Sequence, residues 1–320
     1  MTRNMTRRSF IARTAAAGAA LILPSSRVFG ANDRIRVGII GCGERGRAHI
    51  GWVNSSGADV VAVCDPDKSR MGKPSGKIKQ YQDIRKLIED DSINAVVIAT
   101  PNHWHALATI WACQAGKDVY VEKPVCHSIW EGRKMVEAAR KYNRIVQVGT
   151  QHRSDPAYIE LRKLIEKKEL GEVRWIHSIW YARREPIGRT TEPTPIPDGV
   201  DYDEWCGPRD KVPLMRKNLH YDWHWLWDYG NGDMGNRVIH VIDDVHHVMQ
   251  MNSAVPTRMM AVGKRFQYND DSNTPNTELL VMNWKVPIIF GSRNLPNSKD
   301  SAGDSVYRRF GKGFRFTNLI

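Results

Sequence analysis

The feature that most constrains the fold of this chain is a glycine-rich turn between a short apolar run and the start of a helix. Residues 35–40 read as a β-strand and lead directly into Gly41-Cys42-Gly43-Glu44-Arg45-Gly46, with a helix predicted from Arg47. A second predicted strand, residues 60–64, is followed by Asp65, 24 residues after Gly41. Strand, G-x-G-x-x-G turn, helix and a later acidic residue together form the fingerprint of a dinucleotide-binding βαβ unit.

The residue types in this turn suit the binding of a pyrophosphate. Glycine lacks a Cβ atom, so Gly41 and Gly43 permit a tight turn and close backbone approach, while the helix N-terminus supplies free N–H groups. Asp65 is expected to accept hydrogen bonds from the adenosine ribose and to repel a 2′-phosphate, which favours NAD over NADP, although Lys68 and Arg70 weaken that preference. The alternative is a glycine-rich turn in a domain that binds no nucleotide. The loop residues predicted to contact the cofactor are Gly41, Gly43, Glu44, Arg45 and Gly46.

Strands and helices continue to alternate up to about residue 150. This alternation predicts a parallel sheet covered on both faces, in an α/β Rossmann domain that follows a leader of about thirty residues and spans residues 31–150. The further strands are predicted over 95–99, 119–121 and 145–148, and the helices over 105–115 and 130–142.

Two polar segments follow predicted strands at the carboxyl edge, where open parallel sheets bind their ligands. One is Thr100-Pro101-Asn102-His103-Trp104-His105, and the other is Glu122-Lys123-Pro124. A lysine that is partly desolvated at this edge is expected to have a lowered pKa and to exchange protons near neutral pH, although a surface lysine is the commoner result of such spacing. His105 also fits a packing or capping role at the helix start. The cofactor contacts predicted here are Thr100, Asn102, His105, Glu122 and Lys123.

The run from Asn102 through Glu122-Lys123-Pro124 to Val148-Gly149-Thr150-Gln151 resembles the Gfo/Idh/MocA family of sugar and cyclitol oxidoreductases. The likeness extends from about residue 34 to about 295 and includes Gly232-Asp233-Met234-Gly235-Asn236-x-x-x-His240-x-x-Asp243. It implies that Lys123 and His240 line the reacting carbon, with Asn102 and Glu122 near the nicotinamide ribose. Many members carry aspartate where this chain has Asn236. Because asparagine does not titrate, proton transfer is expected to fall to Lys123 or His240.

The second half, residues 151–320, is predicted to be an α+β domain with an open, mostly antiparallel sheet. Strands are predicted over 172–181, 257–262, 279–284 and 288–291 without intervening βα units. The aromatic cluster Trp205, Tyr221, Trp223, Trp225, Trp227 and Tyr229, with His220 and His224 inside it, suits a carbohydrate pocket, and a Trp-rich core or subunit interface has nearly equal weight. The predicted substrate contacts are Lys123, Arg153, Trp223, Asn236 and His240.

The first thirty residues are typical of a twin-arginine export signal. Thr6-Arg7-Arg8-Ser9-Phe10-Ile11 precedes a short apolar stretch, residues 15–23, and small or apolar residues lead to Ala31. The alternative is a basic N-terminal tail. We therefore expect export to the periplasm, and no integral membrane segment, since no apolar run approaches the ~20 residues that span a bilayer. Members of the resembled family usually continue well past this point, whereas residues 301–320 are polar and basic and end without an evident closing element, so the resemblance implies a truncated or frame-shifted C-terminus.

Composition excludes other classes of protein. The formal net charge of +12 comes partly from five arginines within residues 1–30, and the remaining bases are dispersed, so nucleic-acid binding is not expected. Five cysteines without a C-x-x-C pair predict neither a disulfide framework nor a zinc site. We considered metal binding by His103 and His105, or by the set His240, Asp243, Asp244, His246 and His247, and expect no metal.

Three functions fit these patterns. The first is an exported NAD-dependent oxidoreductase, expected to form a homo-oligomer, that acts on a sugar, glycoside or cyclitol. The second is a redox-neutral glycosidase or lyase, in which oxidation, elimination and reduction regenerate NAD within each turnover. The third is a non-catalytic carbohydrate- or nucleotide-binding protein, which Asn236 and the abrupt C-terminus favour.

Overall fold

The first half of the protein is built on a parallel sheet whose strands are short and almost entirely apolar. The computed structural model describes residues 34–73, 77–251 and 255–295, and the backbone of 315–317. The predicted export signal and most of the polar C-terminal segment lie outside these residues. The strands are β1 (Arg36–Ile40), β2 (Asp59–Cys64), β3 (Lys79–Tyr81), β4 (Ala95–Ile98), β5 (Asp118–Glu122) and β6 (Val146–Gly149).

The six strands are ordered β3-β2-β1-β4-β5-β6 and every pair is parallel. The chain therefore changes winding direction between β1 and β4, and open α/β sheets bind ligands outside the carboxyl ends of the strands at such a switch point. The connecting helices are α1 (Glu44–Ser55), α2 (Ile84–Ile88), α3 (Asn102–Gln114) and α4 (Ile129–Lys141). The predicted Rossmann domain is confirmed.

Local sequence explains where these helices begin. Gly43 is the N-cap residue of α1, so the helix starts inside the glycine motif at Glu44, three residues before the predicted start. A capping box starts α4, because Ser128 and Glu131 bond each other's backbone N–H groups. The short strand β3 was not predicted, since Lys79-Gln80-Tyr81 lacks an apolar pattern.

The second sheet has five strands in the order β11-β7-β10-β9-β8. β7 and β10 pair in parallel, and the other three pairs are antiparallel. The prediction of a mostly antiparallel sheet is therefore confirmed, with one parallel pair that makes the sheet mixed. The strands are β7 (Ile176–Arg183), β8 (Arg258–Lys264), β9 (Thr277–Asn283), β10 (Pro287–Leu295) and β11 (Arg315–Thr317).

One face of this sheet is covered by helices. Val241 and Val245 of helix α7 (Ile239–Val248) pack against Leu280 of β9 and Phe290 of β10. A single π-helical turn, Met234–Val238, runs directly into α7. The remaining helices are α5 (Pro156–Glu166) and α6 (Tyr202–Cys206), and 3₁₀ turns occur at Lys68–Met71, Gln151–Ser154 and Asp222–Trp225.

A long segment between β7 and the π-helical turn lies across the Rossmann sheet edge. The Asp201 amide donates to the Pro66 carbonyl at 2.9 Å, and Arg85 forms an ion pair with Glu204 at 2.5 Å. These contacts join the two halves on one side of the switch point.

Among the residues described, no helix combines the length and apolar character needed to span a membrane.

Candidate active site

A cavity of about 610 Å³ lies at the switch point, between the carboxyl ends of the Rossmann strands and the segment that crosses them. Three regions of the chain contribute to its lining: the glycine loop, the Glu122-Lys123 corner and the π-helical turn. Nine predicted cofactor residues line it, namely Gly41, Gly43, Glu44, Arg45, Asp65, Thr100, Asn102, Glu122 and Lys123. Of the predicted substrate contacts, Lys123, Trp223 and Asn236 line it.

The glycine loop has the geometry that requires glycine. Gly41 has a φ of +88°, and an added Cβ atom would lie 2.6 Å from the Ala99 carbonyl oxygen. At Gly46 an added Cβ would lie only 1.8 Å from the Gly41 oxygen, so this residue lets α1 approach β1. Gly46 therefore shapes the loop from beneath and is not part of the cavity wall. The wall itself contains the first turn of α1, whose N–H groups suit a pyrophosphate.

The Asp65 carboxylate directly follows strand β2 and is held against the glycine loop by hydrogen bonds. Its Oδ2 atom accepts from the Cys42 amide at 2.7 Å, and its Oδ1 atom accepts from the Asp67 amide at 2.9 Å. Arg70 Nε lies 3.7 Å from Oδ2. Burial raises the pKa of Asp65, and the two backbone bonds and Arg70 offset part of that rise. Each oxygen keeps acceptor capacity for a ribose hydroxyl, so the site fits NAD.

Glu122 closes the cavity on the side of β5. It is buried, and its Oε1 atom lies 2.9 Å from His49 Nε2 and 3.8 Å from Arg45 Nε. Burial alone would raise the pKa of Glu122, but the hydrogen bond and charge of His49, together with Arg45, bring the pKa below its usual value. Glu122 is therefore a carboxylate at neutral pH. His49 on α1 gave no sequence signal, since its partner is 73 residues away.

Lys123 is the group in the cavity with the clearest chemical consequence. Its Nζ atom donates to the Asn236 carbonyl oxygen at 2.8 Å and lies 3.2 Å from Asn236 Oδ1. Burial lowers the pKa of Lys123 from 10.5 to about 8; Glu122 opposes this change, and Arg45, Arg237 and Arg184 add to it. A substantial neutral fraction is thus present near physiological pH, as expected for a proton carrier.

Asn236 reaches Lys123 from the π-helical turn. Such single wide turns interrupt the regular hydrogen bonding of a helix and often occur at functional sites. Val238 of the same turn is buried in the core beneath the second sheet, which fixes the turn from below. A second amide pair supports the neighbouring wall, because Asn102 Nδ2 donates to Asn231 Oδ1 at 2.9 Å. Asn231 was not predicted.

His240 and Arg153 were predicted as substrate contacts, and the structure places both away from the cavity wall. The His240 ring stacks on His152 with ring centres 4.9 Å apart. Burial, followed by the charges of Lys123 and His152, lowers the pKa of His240 to about 3, so its imidazole is neutral. The Arg153 guanidinium instead pairs with Asp243, at 2.5 Å between Nη2 and Oδ1. Both residues meet partners about ninety residues distant in sequence, and their roles as substrate contacts stay predictions.

His105 does not reach the cavity either. Its ring is 1% exposed, Nδ1 lies 2.7 Å from the Pro124 carbonyl oxygen and Nε2 lies 3.0 Å from that of Thr100. The ring joins the two polar segments, and this geometry fits the packing role at the helix start. His103 is equally buried, against Trp205 and Tyr229.

The aromatic cluster is divided between cavity and core. Trp205, Tyr221 and Trp223 line the cavity, together with His220 and His224. Trp225 and Tyr229 are buried behind them, and Trp225 lies under the Arg184 guanidinium at 4.3 Å. The cluster thus contributes both to the cavity wall and to the core, and carbohydrate binding by it stays a prediction. In the described ranges, no group of three or more His, Cys, Asp or Glu side chains is arranged to hold a metal ion.

Fold and site together define a class of protein: a Rossmann domain with a cavity suited to a dinucleotide, closed by an α/β domain whose Asn236 meets a half-buried lysine. Two family models match the chain. Residues 35–150 match "Oxidoreductase family, NAD-binding Rossmann fold", and residues 176–280 match "Oxidoreductase family, C-terminal alpha/beta domain", both of the Gfo/Idh/MocA group. Together they span more than half of the chain. The protein belongs to the Gfo/Idh/MocA oxidoreductase family, and its first domain is an NAD-binding Rossmann domain.

Curated relatives and solved structures agree with this assignment. Inositol 2-dehydrogenase of Corynebacterium glutamicum is 31% identical over 176 residues, which cover 53% of this chain and 52% of the relative. Inositol 2-dehydrogenase of Salmonella paratyphi B is 32% identical over 154 residues, 46% of each chain. The chain thus spans about half the length of these relatives. The Bordetella pertussis WlbA dehydrogenase, solved with NADH and UDP-GlcNAcA, has the same fold, with a TM-score of 0.65 at 18% identity over 84% of this chain and 75% of that one.

Proposed function

We propose that this protein is an NAD-dependent oxidoreductase that transfers hydride between a carbinol carbon of a sugar, glycoside or cyclitol and nicotinamide. The observation that carries the proposal is Lys123: a half-buried amine with a pKa of about 8, held by Asn236 within the cavity. The bound cofactor supplies the hydride acceptor. The protein's own residues must receive the proton that leaves the carbinol hydroxyl.

Lys123 is the group that receives it. An ammonium has three N–H bonds, and two can be directed to the carbonyl and side-chain oxygens of Asn236, leaving one position for a substrate hydroxyl. In the neutral form that position is a lone pair, so the hydroxyl proton moves to Nζ as the C–H bond breaks. The Glu122 carboxylate then stabilises the ammonium, since it is the charge that raises the pKa of Lys123.

Asn236 and His240 have supporting roles in this proposal. Asn236 cannot titrate, and its two oxygens orient the Lys123 amine. His240 was the other candidate proton carrier, but a neutral imidazole with a pKa of about 3 has too little affinity for the proton to accept it at neutral pH. Trp223 and His224, whose ring centres are 3.7 Å apart, also line the cavity and offer an aromatic surface for the apolar face of a sugar or cyclitol ring.

The names of the relatives guide the choice of substrates for the test. Purified protein with NAD is mixed with myo-inositol and with a panel of pyranoses and glycosides, and the absorbance of reduced nicotinamide is followed. Net NADH formation with at least one carbinol, lost in Lys123→Met, supports the proposal. Consumption of a glycoside without net NADH would indicate the redox-neutral reaction instead. Binding of NADH without turnover of any substrate would leave a binding protein and contradict the proposal.

We also propose that the protein is exported through the twin-arginine route as a folded homo-oligomer. Arg7-Arg8 before a short apolar stretch supports export, and the exposed Met259, Met260 and Val262 on edge strand β8 support self-association. Replacing both arginines by lysine should retain the protein in the cytoplasm. Light scattering of the purified protein tests the second point, and a strictly monomeric mass would refute it.

A further inference from the structure

A carboxylate on α7 is buried beside the candidate active site and has no place in the mechanism so far. Asp244 is 1% exposed and follows His240 by four residues, so both side chains lie on the same face of the helix. Its Oδ1 and Oδ2 atoms lie 3.0 and 3.2 Å from His152 Nδ1. The neighbouring Asp243 is already occupied by Arg153, so Asp244 is the carboxylate that His152 meets.

Two aromatic rings stack on the His152 ring. Tyr158 does so with ring centres 5.5 Å apart and an interplanar angle of 7°. His240 does so with ring centres 4.9 Å apart and an interplanar angle of 29°. Tyr158 also donates a side-chain hydrogen bond to Asp244. The His152 ring is therefore held by a carboxylate and by two stacked rings, and within the described residues it is the one aromatic contact that restrains His240.

The charge state of Asp244 determines which tautomer of His152 is present. Burial raises the pKa of Asp244 to about 6, and the bonds from His152 and Tyr158 limit that rise. A carboxylate in this position selects the His152 tautomer that carries its proton on Nδ1. His240 stacks on this ring, and the charges of Lys123 and Arg45 lower its pKa while that of Glu122 raises it. The contacts thus run from the buried Asp244 carboxylate through His152 to His240.

We propose that Asp244 and His152 are positioning residues that hold His240 in place for the reaction. The Asp244 carboxylate fixes the tautomer and orientation of the His152 ring, and the stacked His152 ring fixes the neutral imidazole of His240. The catalytic consequence rests on the proposed oxidoreductase function, whereas the positioning of His240 does not. Neither residue lines the cavity, so both act through another group and neither touches the substrate.

The first test reads the positions of the rings without any substrate. In protein labelled with ¹⁵N-histidine, His152 is expected in the Nδ1–H form and His240 as one sharp set of ring signals. Asp244→Asn offers one acceptor oxygen to two donors, so the His152 signals should change tautomer and those of His240 should shift or split. His152→Asn keeps an N–H donor for Asp244 but removes the stacking ring, and should displace the His240 signals as well.

The second test measures catalysis in the same variants. With a substrate that the wild type oxidises, kcat should fall by about 10-fold or more, because His240, which the family resemblance implies beside the reacting carbon, is displaced. The Kd for NADH should stay within about 2-fold, because no residue that lines the cavity is changed. Asp90→Asn is the matched control: Asp90 is a hydrogen-bonded carboxylate on the Rossmann domain, held by Lys79 and Tyr81, far in the fold from this group. It should change neither the His240 signals nor kcat.

The outcomes separate the two proposals. Unchanged His240 signals in both Asp244→Asn and His152→Asn would overturn the positioning role, whatever the activity. Displaced His240 signals with a wild-type kcat would show that the arrangement is structural only and would also overturn it. If the wild type oxidises none of the carbinols tested, the proposed function fails, while the ring signals still decide whether Asp244 positions His240. A retained Kd for NADH confirms that each variant is folded.

Discussion

Placing a carboxylate at position 236 should move the pH dependence of the reaction upward. Asn236 Oδ1 lies 3.2 Å from Lys123 Nζ, so Asn236→Asp sets a negative charge beside the ammonium without a change in side-chain size. An opposite charge favours the protonated lysine, and its pKa must rise. The rate depends on the neutral amine, so the rising limb of kcat/KM against pH should shift to higher pH in the variant.

The size of the shift follows from the geometry. With the pKa of Lys123 at about 8, about one tenth of the wild-type lysine is neutral at pH 7, against about 3 in 10,000 for an unperturbed lysine. A carboxylate within about 4 Å shifts a partner by about 1 to 3 pH units. At pH 7 the variant should therefore lose about 10-fold or more in kcat/KM, and it should recover most of this loss when the pH is raised above 10.

The assay is single-turnover reduction of bound NAD by a saturating carbinol, recorded across the pH range in which the protein stays folded. Asn236→Ala is the control, because it removes the side-chain oxygen without adding charge and keeps the backbone carbonyl that accepts from Nζ at 2.8 Å. Its inflection should stay near that of the wild type. An Asn236→Asp inflection at or below the wild-type value would refute the assignment of Lys123 as the proton acceptor.

The remaining predictions concern stability and the cofactor. Lys123→Met should abolish most of kcat and, by removing a buried amine whose pKa falls from 10.5 to about 8, should raise the free energy of unfolding at pH 7 by about 3 kcal/mol. Because the unfolded chain binds more protons between those two values, wild-type stability should rise with pH through that window and the difference should vanish above it; a pH-independent difference in chemical denaturation would contradict this. Gly46→Ala should abolish NADH binding or folding, since its Cβ would lie 1.8 Å from the Gly41 oxygen, whereas Gly51→Ala on the same helix meets nothing within 4 Å and should be neutral or stabilising. Wild type should bind NADH more tightly than NADPH, and Asp65→Ala should reduce that ratio in calorimetric titrations; a wild-type preference for NADPH would show that Arg70 outweighs the carboxylate.

Sequence patterns were sufficient for the parts of the site that the backbone determines. The glycine positions, the switch-point edge and the Glu122-Lys123 corner all follow from strand ends and from the absence of Cβ atoms, which local sequence reports directly. Side-chain partners did not follow in this way. His105 stands in the same polar segment as Asn102, yet helix geometry turns its ring inward to two carbonyl oxygens. Position in a motif therefore predicted the edge of the sheet and not the direction of each side chain.

Long-range pairs explain the other differences. Glu122 meets His49 across 73 residues, and Arg153 meets Asp243 across 90, so neither pairing has a local signal. In both cases a charged residue is satisfied by protein, and this decides whether it is available to a ligand. Arg153 is a plausible substrate contact by spacing alone, but a guanidinium that forms a bidentate pair with a carboxylate has little remaining attraction for a neutral polyol.

The pairing of Lys123 with Asn236 connects the two halves of the molecule most directly. The lysine ends a Rossmann strand, and its partner belongs to a π-helical turn of the second domain, 113 residues later. The basicity of Lys123 therefore depends on both domains: burial lowers its pKa, Glu122 of the first domain raises it, and Arg45 of the first domain with Arg237 and Arg184 of the second lower it further. A substitution that displaces the π-helical turn should thus alter the pH profile of the reaction even if it leaves every cofactor contact intact.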